Sequence, residues 1–167
     1  MMNIISDAEL FQISKDLAAC LQHRNWRLSA AESCTGGWLA KCCTDLSGSS
    51  TWFDRGFVTY SNKAKQDLLN VTAMSLNQFG AVSEQVVTEM AQGAMVESIA
   101  DISVAITGIA GPDGGSVDKP VGTVWLAWHT KNSLTQTQCY HFDGDRESIR
   151  RQAVKCGLQG IIKNARD

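Results

Sequence analysis

Ala30-Ala31-Glu32-Ser33-Cys34-Thr35-Gly36-Gly37 closes a short apolar-alternating run and opens the helical pattern Trp38-Leu39-Ala40-Lys41-Cys42-Cys43. Two hydroxyls and a thiol collect where a strand ends, and two glycines then allow a sharp turn and close backbone approach to a ligand. The segment reads as strand, tight turn and helix start. Two interpretations stand side by side. Ser33 or Thr35 caps the following helix, or the helix N-terminus, with its free N–H groups, seats a phosphate or a developing oxyanion at Gly36-Gly37.

Outward from this turn the chain alternates helices and strands. Asp7 to about Arg24 places Leu10, Ile13, Leu17 and Leu21 on one helical face, with Asp7 as the expected cap. Strands are expected over Arg27–Ala31 and Trp52–Tyr60, the second broken at Gly56, with a helix from about Gly37 to Leu46 between them. Ser61 or Asn62 caps a short helix carrying Lys63, Lys65, Leu68 and Leu69. Ser83 begins what reads as the longest helical pattern, with Val86, Val87, Met90, Ala94 and Ile99 toward the core. Ile102–Thr107 is a buried strand running into the glycine-rich loop Gly108–Gly115. Val121–His129 and Leu134–Phe142 form a hairpin, and Asp145 caps a last helix from Arg146 to about Ala165. This order predicts an α/β domain, a three-layer α/β/α sandwich around a mixed, mostly parallel sheet.

At 167 residues and 44% hydrophobic, residues 1–167 read as one globular domain. Fifteen basic against seventeen acidic residues give a net charge of −2 with no like-charge run, which argues against a nucleic-acid partner. No apolar stretch reaches the ~20 residues of a membrane span, and Met1–Asp7 lacks the marks of a leader, so the cytoplasm is the expected location. Six cysteines without C-x-x-C spacing read as reduced, mostly buried apolar residues, and three scattered histidines carry no zinc spacing. No metal site is expected, and neither a P-loop nor G-x-G-x-x-G is present.

Amide hydrolysis requires a nucleophile, a proton acceptor and oxyanion donors. Ser33 is a strand-end nucleophile candidate. No histidine sits in a motif that makes it the base, but a lysine serves once burial disfavours its charged form. Lys65 lies just past the second strand in Tyr60-Ser61-Asn62-Lys63-Ala64-Lys65. If the two strands are neighbours, Tyr60 is placed to bridge Ser33 and Lys65 as a relay. Lys63 is a spare base candidate, and exposure of both lysines on a helix surface is the bland alternative. Thr107 ends a buried strand, and the N–H groups across Gly108–Gly111 suit an anion-binding nest, unless that segment is simply a crossover loop. Cys34 is a rival nucleophile if its thiol ionises readily at the helix start.

The segments Ala31–Gly37, Gly56–Lys65, Gly80-Ala81-Val82-Ser83-Glu84, Thr107–Gly115, Lys119–Val124 and Phe142-Asp143-Gly144-Asp145-Arg146 together resemble the CinA C-terminal domain family, the nicotinamide-nucleotide amidases. The resemblance runs in order along nearly the whole chain. It implies an anticodon-binding-domain-like three-layer fold and metal-independent deamidation of nicotinamide mononucleotide to nicotinate mononucleotide and ammonia, in recycling toward NAD. It implies no cofactor and a homodimer. By motif match Ser33 is the nucleophile, Lys65 the base, and Tyr60 and Thr107 supporting residues. Substrate contacts are expected from Thr35, Gly36, Gly37, Gly108, Ala110, Gly111 and Arg146. Arg146 is a phosphate anchor in its own or a neighbouring subunit's site, or merely a surface charge. Many relatives carry a second, N-terminal domain resembling molybdopterin-binding proteins; that domain and its pyrophosphatase activity are not expected here.

Overall fold

A computed structural model describes residues 5–166. Met1–Ile4, within the stretch read as lacking a leader, lie outside the described residues. Five strands form one sheet: β1 (Leu28–Glu32), β2 (Phe53–Val58), β3 (Ile102–Gly108), β4 (Thr123–Thr130) and β5 (Gln136–His141), in the order β2-β1-β3-β4-β5. β1 pairs in parallel with both β2 and β3, whereas β4 is antiparallel to β3 and to β5. Four strands therefore share one direction and β4 alone is reversed. The expected mixed sheet and late hairpin are both present.

Helices cover both faces. On one side lie α1 (Asp7–Arg24), α2 (Trp38–Thr44) and α6 (Arg146–Arg166); on the other lie α3 (Asn62–Leu69), α4 (Ala73–Phe79) and α5 (Glu84–Val96). The period-2 alternation of the strands decides what each side receives. Leu28, Ile102, Val104, Ile106, Val124 and Leu126 pack toward α1, α2 and α6. The opposite face carries the small residues Ala31, Ala105 and Ala127, which pack with Val87, Met90 and Ala94 of α5. Small side chains let α5 sit close enough for Ser29 and Ser103 hydroxyls to donate to the Ala94 and Ala91 carbonyls at 3.1 and 2.6 Å. Both are buried, and an unpaired buried hydroxyl would be costly.

Several local expectations change. The Ser6 side chain, not that of Asp7, caps α1, accepting the Glu9 N–H at 3.1 Å. Asp7 lies in the first turn, where its charge suits the dipole and pairs with Arg151. Gly56 does not break β2. An added Cβ there would come within 3.2 Å of the Ala40 Cβ, so this glycine lets α2 approach the strand. α5 is shorter than α1 and α6 and stops at Val96, leaving Ile99 beyond its end and exposed. All six cysteines are free thiols; Cys34, Cys42 and Cys43 are buried and the others half-buried. Among the described residues no helix is long and apolar enough to cross a membrane.

Candidate active site

The parallel strands β2 and β1 end in register at Val58 and Glu32, and Glu32 also stands opposite Ile106, two residues before the end of β3. Ligands of open α/β sheets gather at such carboxyl edges. The chain stays ordered one step further: the Ser33 N–H donates to the Ile106 carbonyl at 3.0 Å and the Thr59 N–H to the Glu32 carbonyl at 2.8 Å. Ser33, Tyr60 and Thr107 thus reach a common cleft of about 290 Å³, near the lower bound for small-ligand sites. A larger groove of about 700 Å³ lies elsewhere, across β4, β5 and α6 near Trp26 and Trp128, remote from the Ser33 edge.

α3 starts immediately after Tyr60, with the Ser61 side chain accepting the Ala64 N–H at 3.0 Å. That start directs Lys65 inward. Its Nζ lies 3.0 Å from Ser33 Oγ and donates to the Thr59 carbonyl at 2.8 Å. Lys65 is only 1% exposed, against 8% for Ser33. Burial pushes the amine's pKa below its ordinary 10.5, and among the described residues no carboxylate is hydrogen-bonded to it to restore the charge. In the neutral form, one N–H held by Thr59 leaves the lone pair available to the serine proton. Lys63 is exposed and paired with Asp67, so it does not reach Ser33.

The turn itself corrects one expectation. The Glu32 side chain, 1% exposed, folds under the start of α2. Its Oε2 accepts from Thr35 Oγ1 at 2.6 Å and from the Gly37 and Leu39 N–H groups at 3.1 Å each, while Oε1 accepts from Ala40 N–H at 2.9 Å. The helix start therefore already holds an anion, and it belongs to the protein. Thr35 is fully buried with its hydroxyl donated to Glu32. Gly36 and Gly37, with φ of 61° and 96°, bend the chain so that the carboxylate can reach these donors, and both line a shallow surface on the far side of the turn. Thr35, Gly36 and Gly37 consequently do not line the Ser33 cleft.

Tyr60 does not stand between Ser33 and Lys65, whose contact is direct. It is 60% exposed on the rim, where its hydroxyl accepts from Arg146 at 3.0 Å. Arg146, the first residue of α6, also donates to the Gly111 carbonyl at 2.7 Å and lines the cleft of its own chain. Thr107 is 1% exposed, and its hydroxyl donates to the Ala81 carbonyl at 2.9 Å, fixing the cleft wall. Gly108, Ala110 and Gly111 line the same cleft. Burial raises the Cys34 thiol to about 12, with the nearby Glu32 carboxylate adding to the shift. A thiol in that state is a poor source of thiolate.

The sequence pattern of the CinA C-terminal domain matches residues 10–165. This chain belongs to the CinA C-terminal domain family. Among its relatives, the nicotinamide-nucleotide amidohydrolase PncC of Enterobacter agglomerans is 51% identical over 159 residues, covering 95% of this chain and 97% of the other. The protein of the same name from Escherichia coli (strain K12) is 53% identical over 159 residues, covering 94% and 95%. The crystal structure of competence/damage inducible protein CihA from Agrobacterium tumefaciens superposes with a TM-score of 0.92 at 40% identity, covering 100% of both chains.

Sequence reasoning quoted Glu32 in the CinA motif but gave it no role. An acid at a strand end, followed within eight residues by the first N–H groups of a helix, was the signal available. Arg150 was also missed. It lies one helical turn beyond Arg146, on the same face of α6, and donates to the Cys34 and Thr35 carbonyls at 3.0 and 3.1 Å.

Proposed function

We propose that this chain hydrolyses the carboxamide of nicotinamide mononucleotide to nicotinate mononucleotide and ammonia, with Ser33 as nucleophile and Lys65 as general base. The observation that carries this reading is the 3.0 Å contact between Ser33 Oγ and a buried lysine whose charged form is disfavoured. The names of the PncC relatives, at about half identity over nearly full length, support the substrate.

Neutral Lys65 takes the Ser33 proton as Oγ bonds to the carboxamide carbon and the carbonyl π pair moves onto oxygen. Collapse of the tetrahedral intermediate breaks the C–N bond, and the nitrogen leaves as ammonia with the proton returned from Lys65. Water, deprotonated by the same amine, then cleaves the acyl-serine ester. Arg146, at the rim with its guanidinium toward Tyr60 and Gly111, is suited to the nucleotide phosphate. Gly108, Ala110 and Gly111 flank the pyridine ring in this reading. Residues 1–167 act as one amidase domain in pyridine-nucleotide recycling in the cytoplasm, as a homodimer, and sedimentation velocity tests the last point.

The decisive assay is release of ammonia and nicotinate mononucleotide from nicotinamide mononucleotide, with chelator present, by wild type and Ser33→Ala. Turnover confined to the wild type is expected. Binding of the nucleotide without product from either protein would replace the amidase by a nucleotide-sensing module.

A further inference from the structure

Arg146 and Asp113, of opposite charge, both line the Ser33 cleft, and among the described residues they form no ion pair with each other. The Arg146 guanidinium is held by neutral acceptors, the Gly111 carbonyl at 2.7 Å and the Tyr60 hydroxyl at 3.0 Å. Asp113 is exposed, and it is the one carboxylate among the described residues that line the cleft. It does not reach the base: Lys65 Nζ is bonded to the Thr59 carbonyl and Ser33 Oγ. An acid in contact with that amine would favour its charged form and defeat it as a base. The carboxylate therefore faces the cleft without a partner that explains it.

The loop that presents Asp113 is tied down on both sides. Arg146 grips its near side at the Gly111 carbonyl. On its far side the Gly122 N–H donates to the Ile109 carbonyl at 2.8 Å and the Ser116 N–H to the Lys119 carbonyl at 2.9 Å. A Cβ on Gly115 would come within 2.8 Å of the Val121 nitrogen, so this glycine lets the loop close against the chain entering β4. The proposed substrate carries the matching charges. Its ring nitrogen, bonded to the ribose, is a pyridinium with a permanent positive charge, and its phosphate is anionic. A pyridinium cannot shed its charge and has no N–H to donate, so what a protein can offer it is a counter-charge. Opposite charges in contact would neutralise each other; held apart, they leave one for each end of a dipolar ligand.

We propose that Asp113 is the counter-ion of the substrate's pyridinium ring and, with Arg146 at the phosphate, makes the cleft selective for a zwitterionic nucleotide amide over one with a neutral ring. This rests on the amidase reading above for the identity of its ligand. In that reading the ring lies along Gly108, Ala110 and Gly111, and Asp113 continues the same wall. Asp113 transfers no proton; it selects by charge.

The test is equilibrium binding to Ser33→Ala, which holds the amide without cleaving it. Nicotinamide mononucleotide is compared with its benzamide counterpart, a phosphorylated C-nucleoside in which carbon replaces the ring nitrogen and the ring charge is gone. Ser33→Ala should bind the charged ring the more tightly. Adding Asp113→Asn should weaken nicotinamide mononucleotide about fivefold, equivalent to about 1 kcal/mol, and the neutral analogue less than about twofold. Asp113→Glu keeps the charge and should keep most of the preference. Asp118→Asn removes another acid of this loop, outside the cleft lining, and should leave the preference as it is. Added salt should shrink the preference while Asp113 is present and not in Asp113→Asn, because the phosphate is common to both ligands. Absence of a preference in Ser33→Ala would overturn the inference, as would unchanged binding in Asp113→Asn. Equal weakening of both ligands would also overturn it and assign Asp113 to the ribose or to the loop. Ammonia release by the wild type is measured in parallel: a protein that shows the charge preference but releases none would remove the amidase reading and leave the charge pairing standing.

Discussion

Replacing Lys65 by methionine separates two consequences of burying an amine. Lys65 is 1% exposed, and among the described residues its nitrogen is hydrogen-bonded only to the Thr59 carbonyl and Ser33 Oγ. Removing that donor leaves a buried carbonyl unsatisfied, at a cost of about 1–3 kcal/mol. Removing an ammonium from a site without a carboxylate relieves a penalty of several kcal/mol whenever the amine is charged. The second effect is the larger at low pH. At pH 6 the variant should therefore be more stable than wild type, by about 1–3 kcal/mol. The gap must then close as pH rises. The folded-state pKa lies below the unfolded value of 10.5, so between the two the unfolded chain binds more protons. Wild-type stability consequently climbs relative to the variant by up to about 1.4 kcal/mol per pH unit. The gain is complete above the unfolded value and lost as pH falls through the folded one. Urea unfolding of both proteins from pH 6 to pH 10 measures the difference, in which the other titrating groups cancel. The variant should also lose about 10²–10⁴-fold in kcat, while wild-type kcat/KM rises to a plateau reached below the ordinary lysine value. A stability difference that stays flat with pH, or a basic limb centred at the ordinary value, would refute the assignment of Lys65 as base.

Glu32→Gln should destabilise the fold by about 2–4 kcal/mol in urea. One charge-assisted bond is lost at about 1.5–3 kcal/mol, and the charge at the helix start, within the cap that fixes the turn, contributes the rest; a loss under about 1 kcal/mol would contradict the capping role. Tyr60→Phe should leave kcat within about threefold, because the Lys65–Ser33 contact is direct; a hundredfold fall would reinstate the tyrosine as a proton relay. Arg146→Ala should raise KM for the nucleotide about tenfold or more, equivalent to about 1.4 kcal/mol of binding. An unchanged KM would place the phosphate elsewhere.

The elements most readable from the residues are those where period and punctuation agree. β3 is a continuous buried run ending at glycine, and α5 begins at a Ser83 cap that accepts the Val86 N–H at 3.3 Å. The juxtaposition of Ser33 and Lys65 was readable only on the condition that β1 and β2 pair side by side. That condition depends on α2 crossing between them, and Gly56 permits the close crossing that a larger residue would obstruct. The buried state of Lys65 was not legible at all. Composition favours a solvated lysine on a short, polar helix, and only the tertiary position of α3 reverses that preference.

The turn after β1 shows why a correct local motif yields a wrong ligand. Glycines before a helix do create an anion seat, and the residues Ala31–Gly37 advertise one. Yet the seat lies within reach of a carboxylate one residue before Ser33, and an internal carboxylate needs no association step to occupy it. Glu32 therefore outcompetes any external phosphate for the Gly37, Leu39 and Ala40 donors. With the helix start satisfied from within and the turn's carbonyls held by Gly36, Trp38 and Arg150, the chain after β1 is fixed without any bound anion, and that frame sets Ser33 Oγ 3.0 Å from the Lys65 amine.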